Sequence, residues 1–185
     1  MHELPAAPPA QNRAFHLERA SPRVVLRLRS WEVRAESTPP TLAGCHLPDR
    51  VGAVVEGSLR ILCTGPQDWL IVHPPTEVPR LRDAWAPALT AQSLTFVDLT
   101  AGLIAFALTG TSLREVFEQS CGLDFDRRHF GAGQCARTRF AQIPVVVDWI
   151  QDLGRLELYV ARSHAHYLQD WLLDAAQFVA PATRA

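Results

Sequence analysis

Four cysteines, seven histidines and one dense charge run are the side chains of this sequence that could do chemistry, and their spacing decides which kind. Cys45, Cys63, Cys121 and Cys135 form no C-x-x-C pair. Cys45-His46 could begin a metal site, but no second pair stands at ligand spacing, so the four make no zinc site. Cys63, inside the apolar run LRILCT, and Cys121, at the end of a helical stripe, read as buried small hydrophobes rather than reactive thiols. His164-Ala-His166 could suggest a metal pair, yet residues two apart on a helix do not share a face. His2, His16, His46, His73 and His129 are dispersed, so no Cys-His or Ser-His-Asp set can be nominated. The run Asp124-Phe-Asp126-Arg127-Arg128-His129 reads first as a solvated loop and second as a loop facing a partner, because Arg is enriched at interfaces. A catalytic carboxylate pair is its third reading, since nothing nearby would raise either pKa. Gly131-Ala-Gly133-Gln-Cys-Ala136 spells G-x-G-x-x-A. The dinucleotide fingerprint needs a strand before it and a helix after it, and here ARTRFAQIPVVV follows as strand, so it reads as a turn. Asp148 is the one carboxylate in Ile143–Trp149, with no paired acidic site for a pterin. Site residues are therefore none: no catalytic, cofactor-binding or metal-ligating residue is assigned.

The elements that would position these groups begin from an ordinary globular composition. The chain has 185 residues, 48% hydrophobic and 20% charged, with a net charge of −1. That suits one domain, and neither a basic nor an acidic field marks it for nucleic acid. Its basic residues are all Arg. The start, MHELPAAPPAQNR, lacks a basic region and an apolar run, and no window reaches membrane-span length. A cytoplasmic protein without membrane contact is the expectation. Residues 1–14, rich in Pro and Ala, read as a disordered arm. Residues 15–180 read as a single domain, and 181–185 as a tail.

Arg23–Arg29 alternates over its second half, which predicts a half-buried strand with Arg23, Arg27 and Arg29 on one side and Val25 as the exception. STPPTLAGCHLPDRVGAVVEG is turn-rich and resists assignment. Strands follow at Leu59–Thr64 and Trp69–His73, joined by a tight turn at Pro66. Thr76 would cap a helix over Glu77–Ala86 that buries Val78, Leu81 and Trp85, with Pro79 in its first turn and Pro87 at its end. Next come strands Leu94–Asp98 and Leu103–Thr109, with Gly110 allowing a sharp exit. Ser112-Leu-Arg-Glu115 spells a capping box for a helix burying Leu113, Val116, Phe117 and Cys121, with Gly122 as its C′ residue. Strands at Ala136–Phe140 and Ile143–Trp149 flank Ala141-Gln142, and Pro144 suggests a sheet edge. A strand at Arg155–Val160 precedes a helix capped by Ser163, with Tyr167, Leu168, Trp171, Leu172, Ala175 and Phe178 as its apolar face. Trp31, Trp69, Trp85, Trp149 and Trp171 are mostly core, and one on an outer face would mark an interface. The order of elements gives an α+β fold with a mixed, largely antiparallel sheet and about three helices.

From residue 47 to 175 the pattern resembles the gamma subunit family of heterotetrameric sarcosine oxidase. Leu47-Pro48 opens it. TGPQDWLIV at 64–72 is similar to that family's L-G-P-D-E-W-L-L. VDLTAGLIAFALTG at 97–110 is similar to V-D-V-S-x-G-R-x-x-x-x-L-S-G, SCGLDFD at 120–126 to G-C-P-L-D-L-H, and LYVARSHAHYLQDWL at 158–172 to L-x-V-P-R-S-F-A-x-Y-L-x-x-W-L. FGAGQCARTRFAQIPVVV at 130–147 is similar to F-P-P-G-A-C-A-Q-T-x-L-A-x-V-P-V-L-L. The chain departs from the family at Leu103, where Arg is usual, at Thr111 and Ala161, where Pro is usual, and at His164, where Phe is usual. These departures bear on subfamily more than on fold.

The resemblance implies a fold similar to the folate-binding domain of aminomethyltransferase. It implies a non-catalytic structural subunit, partnered by alpha, beta and delta subunits, in an enzyme that oxidatively demethylates sarcosine to glycine. FAD, FMN, NAD and tetrahydrofolate would sit on the partners and none on this chain. The equivalent subunit of N-methylglutamate dehydrogenase, a stand-alone folate-binding or one-carbon-transfer module, and an orphan domain kept for another interaction are the alternatives. A docking subunit also predicts an exposed apolar or Arg-rich face.

Overall fold

A computed structural model describes residues 14–21, 23–31, 41–42, 45–57, 59–75, 85–87, 89–90, 93–126, 128–151 and 154–179. The expected helix over Glu77–Ala86 lies largely outside them, as do the tail and all of the expected arm before Ala14. In chain order the strands are β1 (His16–Arg19), β2 (Val24–Ser30), β3 (Thr41–Leu42), β4 (Cys45–His46), β5 (Val54–Glu56), β6 (Arg60–Gly65) and β7 (Asp68–His73). They continue with β8 (Leu94–Asp98), β9 (Leu103–Thr109), β10 (Cys135–Phe140), β11 (Ile143–Gln151) and β12 (Arg155–Ala161). The helices α1 (Leu113–Glu118) and α2 (Ala165–Gln177) join them, with a 3₁₀ turn at Arg162–His164. The α+β class holds, and every strand pairing among the described residues is antiparallel. The strands divide between two five-stranded sheets and one two-stranded ribbon.

Two compact units result: residues 1–21 with 102–185, and residues 22–101. In the first, the sheet order is β1-β9-β12-β11-β10. Alternation along β11 and β12 sends Val145, Val147, Trp149, Leu156, Leu158 and Val160 into one apolar cluster with Leu113, Val116 and Phe117 of α1. Helix α2 joins that cluster through Ala165, Leu168, Leu172 and Ala175, spaced to share one stripe. Burying each larger apolar side chain contributes about 1.5–3 kcal/mol. Phe117 stands edge-on to Phe125 and Phe140 at 4.7 and 4.8 Å. Of the face expected on α2, Tyr167 and Phe178 depart. Tyr167 is half exposed and donates its hydroxyl to the Ala141 carbonyl at 3.1 Å, while Phe178 falls past the last turn and is exposed.

The β10–β11 hairpin turns on Ala141 and Gln142, both with positive φ (46° and 69°), the two-residue geometry whose twist matches the flanking strands. Neither is a glycine, and the cost is offset by contacts that fix Ala141: its N–H donates to Ser120 at 3.1 Å and its carbonyl accepts from Tyr167. Pro144 does not mark an edge strand, because β11 lies between β10 and β12. The β12 ladder begins only at Val145, so the missing N–H of Pro144 falls one residue outside it. The expected capping box is also absent. Ser112 is buried and its N–H donates to the Ala14 carbonyl at 2.8 Å, and no side-chain cap bond forms. Helix α1 stops at Glu118, so Gly122 is not its C′ residue, and Cys121 instead bridges to Phe140. Ser163 lies within the 3₁₀ turn and caps nothing.

The second unit has the order β5-β6-β7-β2-β8. Leu26 and Leu28 of β2 face a core with Ile61, Cys63, Trp69, Ile71 and Trp85. Strands β6 and β7 are joined across Pro66-Gln67, with Gln67 at φ 52°. The stretch that resisted assignment holds β3, β4 and β5. Trp69 is pinned by its indole N–H, which donates to the Pro48 carbonyl at 2.7 Å.

Candidate functional site

The first unit's sheet carries two buried acids on the face away from its helices. The apolar positions of β11 and β12 face the helical core, so the intervening Val146, Asp148, Glu157 and Tyr159 face the other way. The register sets Asp148 directly across from Glu157 and beside Cys135 of β10. Asp148 and Glu157 are both completely buried. Like charges facing each other across strands are unfavourable, and a buried carboxylate needs partners. Glu157 has them: Tyr159 Oη donates to Oε2 at 2.7 Å, and Arg155 Nη2 donates to Oε1 at 3.0 Å. Asp148 is likewise engaged. Asp148 is the one carboxylate of its strand, as the sequence reads, and Glu157 stands across from it on β12. The pair's signal in the sequence was Glu157 alternating with Leu156 and Leu158, one short turn beyond β11.

The charged loop closes on itself. Asp124 Oδ1 accepts the Asp126 N–H at 2.8 Å and its Oδ2 lies 2.5 Å from His129 Nδ1. Asp126 takes Arg128 by both carboxylate oxygens, at 3.0 and 2.7 Å. The Arg128 side chain, then its backbone N–H, pull the Asp126 pKa down to about 2. The Asp126 N–H, then His129, lower Asp124 as well. Both shifts run opposite to what a general acid needs.

The remaining candidates stay apart. Burial raises the thiol pKa of Cys63 and of Cys121, Cys135 is buried, and all four cysteines are free thiols. His166 pairs with Asp170 at 2.8 Å, one turn along α2, while His164 stays in the 3₁₀ turn. His16 lies 3.7 Å from Glu18, His46 Nδ1 sits 3.3 Å from Thr41 Oγ1, and His73 Nδ1 abuts the Pro74 carbonyl. Among the described residues no three His, Cys, Asp or Glu side chains converge as a metal would require. Gly133, at φ 78°, turns the chain into β10 with its N–H on the Trp149 carbonyl, so the G-x-G-x-x-A run is a turn and β10 follows where a nucleotide site needs a helix.

In the second unit, Arg27 clamps Asp68 with Nε at 2.9 Å and Nη2 at 2.5 Å, and this hydrogen bonding raises the Arg27 pKa. Arg29 reaches the same carboxylate at 3.8 Å. Val25, the exception in the alternation, is buried. Trp69, Trp85 and Trp149 are core and Trp171 is partly so. Trp31 is 68% exposed, with its indole N–H on Thr95 Oγ1 at 2.7 Å and the Arg29 guanidinium 4.8 Å from its ring centroid. No helix among the described residues is long and apolar enough to cross a membrane.

Known proteins resemble this arrangement as a whole. The chain is 30% identical over 135 residues to sarcosine oxidase subunit gamma of Corynebacterium sp. (strain U-96), covering 71% of this chain and 64% of that one. It is 31% identical over 144 residues to the Arthrobacter sp. subunit gamma, covering 75% and 68%. Thus it spans about 64% of the length of the Corynebacterium relative. A chain in the structure of heterotetrameric sarcosine oxidase from Corynebacterium sp. U-96 superposes with a TM-score of 0.77 at 26% identity, covering 95% of this chain and 90% of that one. Aminomethyltransferase T of the Bartonella henselae glycine cleavage system shares the fold, with a TM-score of 0.59 at 11% identity over 87% of this chain and 46% of that one. The family model described as "Sarcosine oxidase, gamma subunit family" matches residues 39–178, and the chain belongs to that family.

Proposed function

We propose that this chain is a non-catalytic structural subunit of a heterotetrameric, flavin-dependent sarcosine oxidase, with alpha, beta and delta subunits as its partners. The partners carry FAD, FMN, NAD and tetrahydrofolate and perform the oxidative demethylation of sarcosine to glycine. The reading is carried by the superposition on a chain of heterotetrameric sarcosine oxidase over nearly the full length of both. The self-paired charges agree with it, since Glu157, Asp124, Asp126 and Asp68 each hold a partner within this chain. The complex is placed in the cytoplasm, and residues 15–180 are taken as one cooperative domain.

Co-expression with the other subunits tests the reading. A tagged chain is expected to recover a yellow complex that oxidises sarcosine, and to be colourless and inactive by itself. Oxidation by the isolated chain, or recovery without flavin-containing subunits, overturns the proposal. Turnover of N-methylglutamate in place of sarcosine moves it to the related dehydrogenase.

A folate-binding module is the alternative, and it must do without an exposed acid here, since Asp148 and Glu157 are completely buried and Glu157 is held by Tyr159 and Arg155. Calorimetric titration of the isolated chain with tetrahydrofolate separates the two. Stoichiometric binding supports a folate-binding module, and no heat of binding leaves the pair as sheet structure.

A further inference from the structure

We propose that the open edge of β8, with Trp31 and Arg29 beside it, receives an extended acidic segment of a partner subunit as an added strand. The proposal rests on the subunit reading above. Hydrogen-bond alternation shows which groups of β8 are available. The Leu99 N–H donates to Val25 at 2.9 Å and the Ser30 N–H donates to Gln67 at 3.0 Å. Odd residues of β2 therefore bond toward β8 and even residues toward β7. In β8 it follows that Thr95 and Val97 face β2. The N–H and C=O groups of Leu94, Phe96 and Asp98 point outward, and no described strand pairs with them.

The four outer edges of the two large sheets differ in protection. Strand β1 carries His16, Glu18 and Arg19, β5 is three residues long and ends on Glu56, and β10 exposes Arg137 and Arg139. Charge and shortness are how sheets avoid unwanted pairing. Strand β8 reads Leu-Thr-Phe-Val-Asp, with Thr95 and Val97 exposed and no basic residue or proline. Its one charge, Asp98, is occupied with the Thr100 N–H at 2.8 Å. Beside this edge Trp31 is held in one orientation by Thr95 and by the Arg29 guanidinium, an exposed aromatic of the type that anchors interfaces.

Charge selects the occupant. Among the described residues Arg27 and Arg29 both lean on the single Asp68 carboxylate, two guanidinium groups to one carboxylate on the Trp31 side of the sheet. An incoming strand with acidic side chains on that side complements it. A second copy pairing β8 with β8 would instead bring two such Arg pairs onto the same face, so self-association is disfavoured.

The test compares the assembled complex with the free chain by amide hydrogen exchange, and the wild type with Val97→Glu and Trp31→Ala. Exchange at Leu94, Phe96 and Asp98 is expected to slow on assembly. Each variant should bind the other subunits about tenfold more weakly or worse, at an unchanged melting temperature of the free chain. Assembly of both variants at wild-type affinity, with those amides still exchanging freely, overturns the proposal while leaving the subunit reading intact. A free wild-type chain that dimerises through this edge, with Val97→Glu monomeric, also overturns it. Failure of the wild type to join any flavin-containing subunit overturns both readings.

Discussion

Glu157 is ionisable, completely buried and set across from a second acid, so its two donors decide whether the site is tolerable. Removing one of them, in Tyr159→Phe, strands a buried acceptor. The expected loss is about 1–3 kcal/mol in a urea titration, because the desolvation cost stays and the bond does not. An unchanged midpoint would show that the hydroxyl carries nothing. The carboxylates of the 124–129 loop respond to pH instead. Asp126 has a folded-state pKa lowered to about 2 by Arg128, below the ordinary value of 3.8. The order it lends the loop is therefore fully present above about pH 4 and is lost as pH falls through about 2. Carboxyl-carbon NMR should place its midpoint there. In Asp126→Asn the acid-induced change in the Arg128 side-chain signal should vanish.

At the scale of elements, alternation and turn chemistry were legible where a strand was long and its neighbours local. The bounds of β8 and β9 read directly from LTFVD and LIAFALT. The helix ends did not. Ser112 has a cap's sequence, but Ala14, nearly a hundred residues earlier, takes its N–H, and no local pattern records that. The acid pair escaped for a different reason: Asp148 and Glu157 lie close in sequence on adjacent strands, and only the β11–β12 register sets them opposite each other. Gly110 shows what such a distant contact demands. It sits at φ +128°, and a Cβ there would stand 2.4 Å from the Ala14 carbonyl oxygen. Gly110→Ala should cost about 2 kcal/mol or more by chemical denaturation. Gly122→Ala, with nothing within 4 Å and no positive φ, should stay within about 0.5 kcal/mol. Equal effects at the two positions would refute the packing argument.

At the scale of the molecule, residues 22–101 are inserted between two strands that pair, β1 and β9. The ends of the inserted unit are tied together by the Leu99 N–H on Val25 and the Val25 N–H on Thr100. When that unit unfolds, β1 and β9 must close a loop of about 80 residues, an entropic cost on the order of 4–5 kcal/mol. That is a large part of a typical domain's stability, so a single calorimetric transition is expected, with equal calorimetric and van't Hoff enthalpies. Two resolved transitions would show that the units melt apart. This interruption was not legible in the sequence, where one run of strands and helices reads as one layer.

The β1–β9 pairing also sets an order of events during synthesis. The ribosome finishes β1 long before β9 exists, and at about 5–20 residues per second the delay is on the order of ten seconds. Through that interval Phe15 and Leu17, both core residues later, have no sheet to join. The inserted unit carries its own sheet and apolar cluster, so its pairings are all on the same stretch of chain and become available before the partner of β1 does.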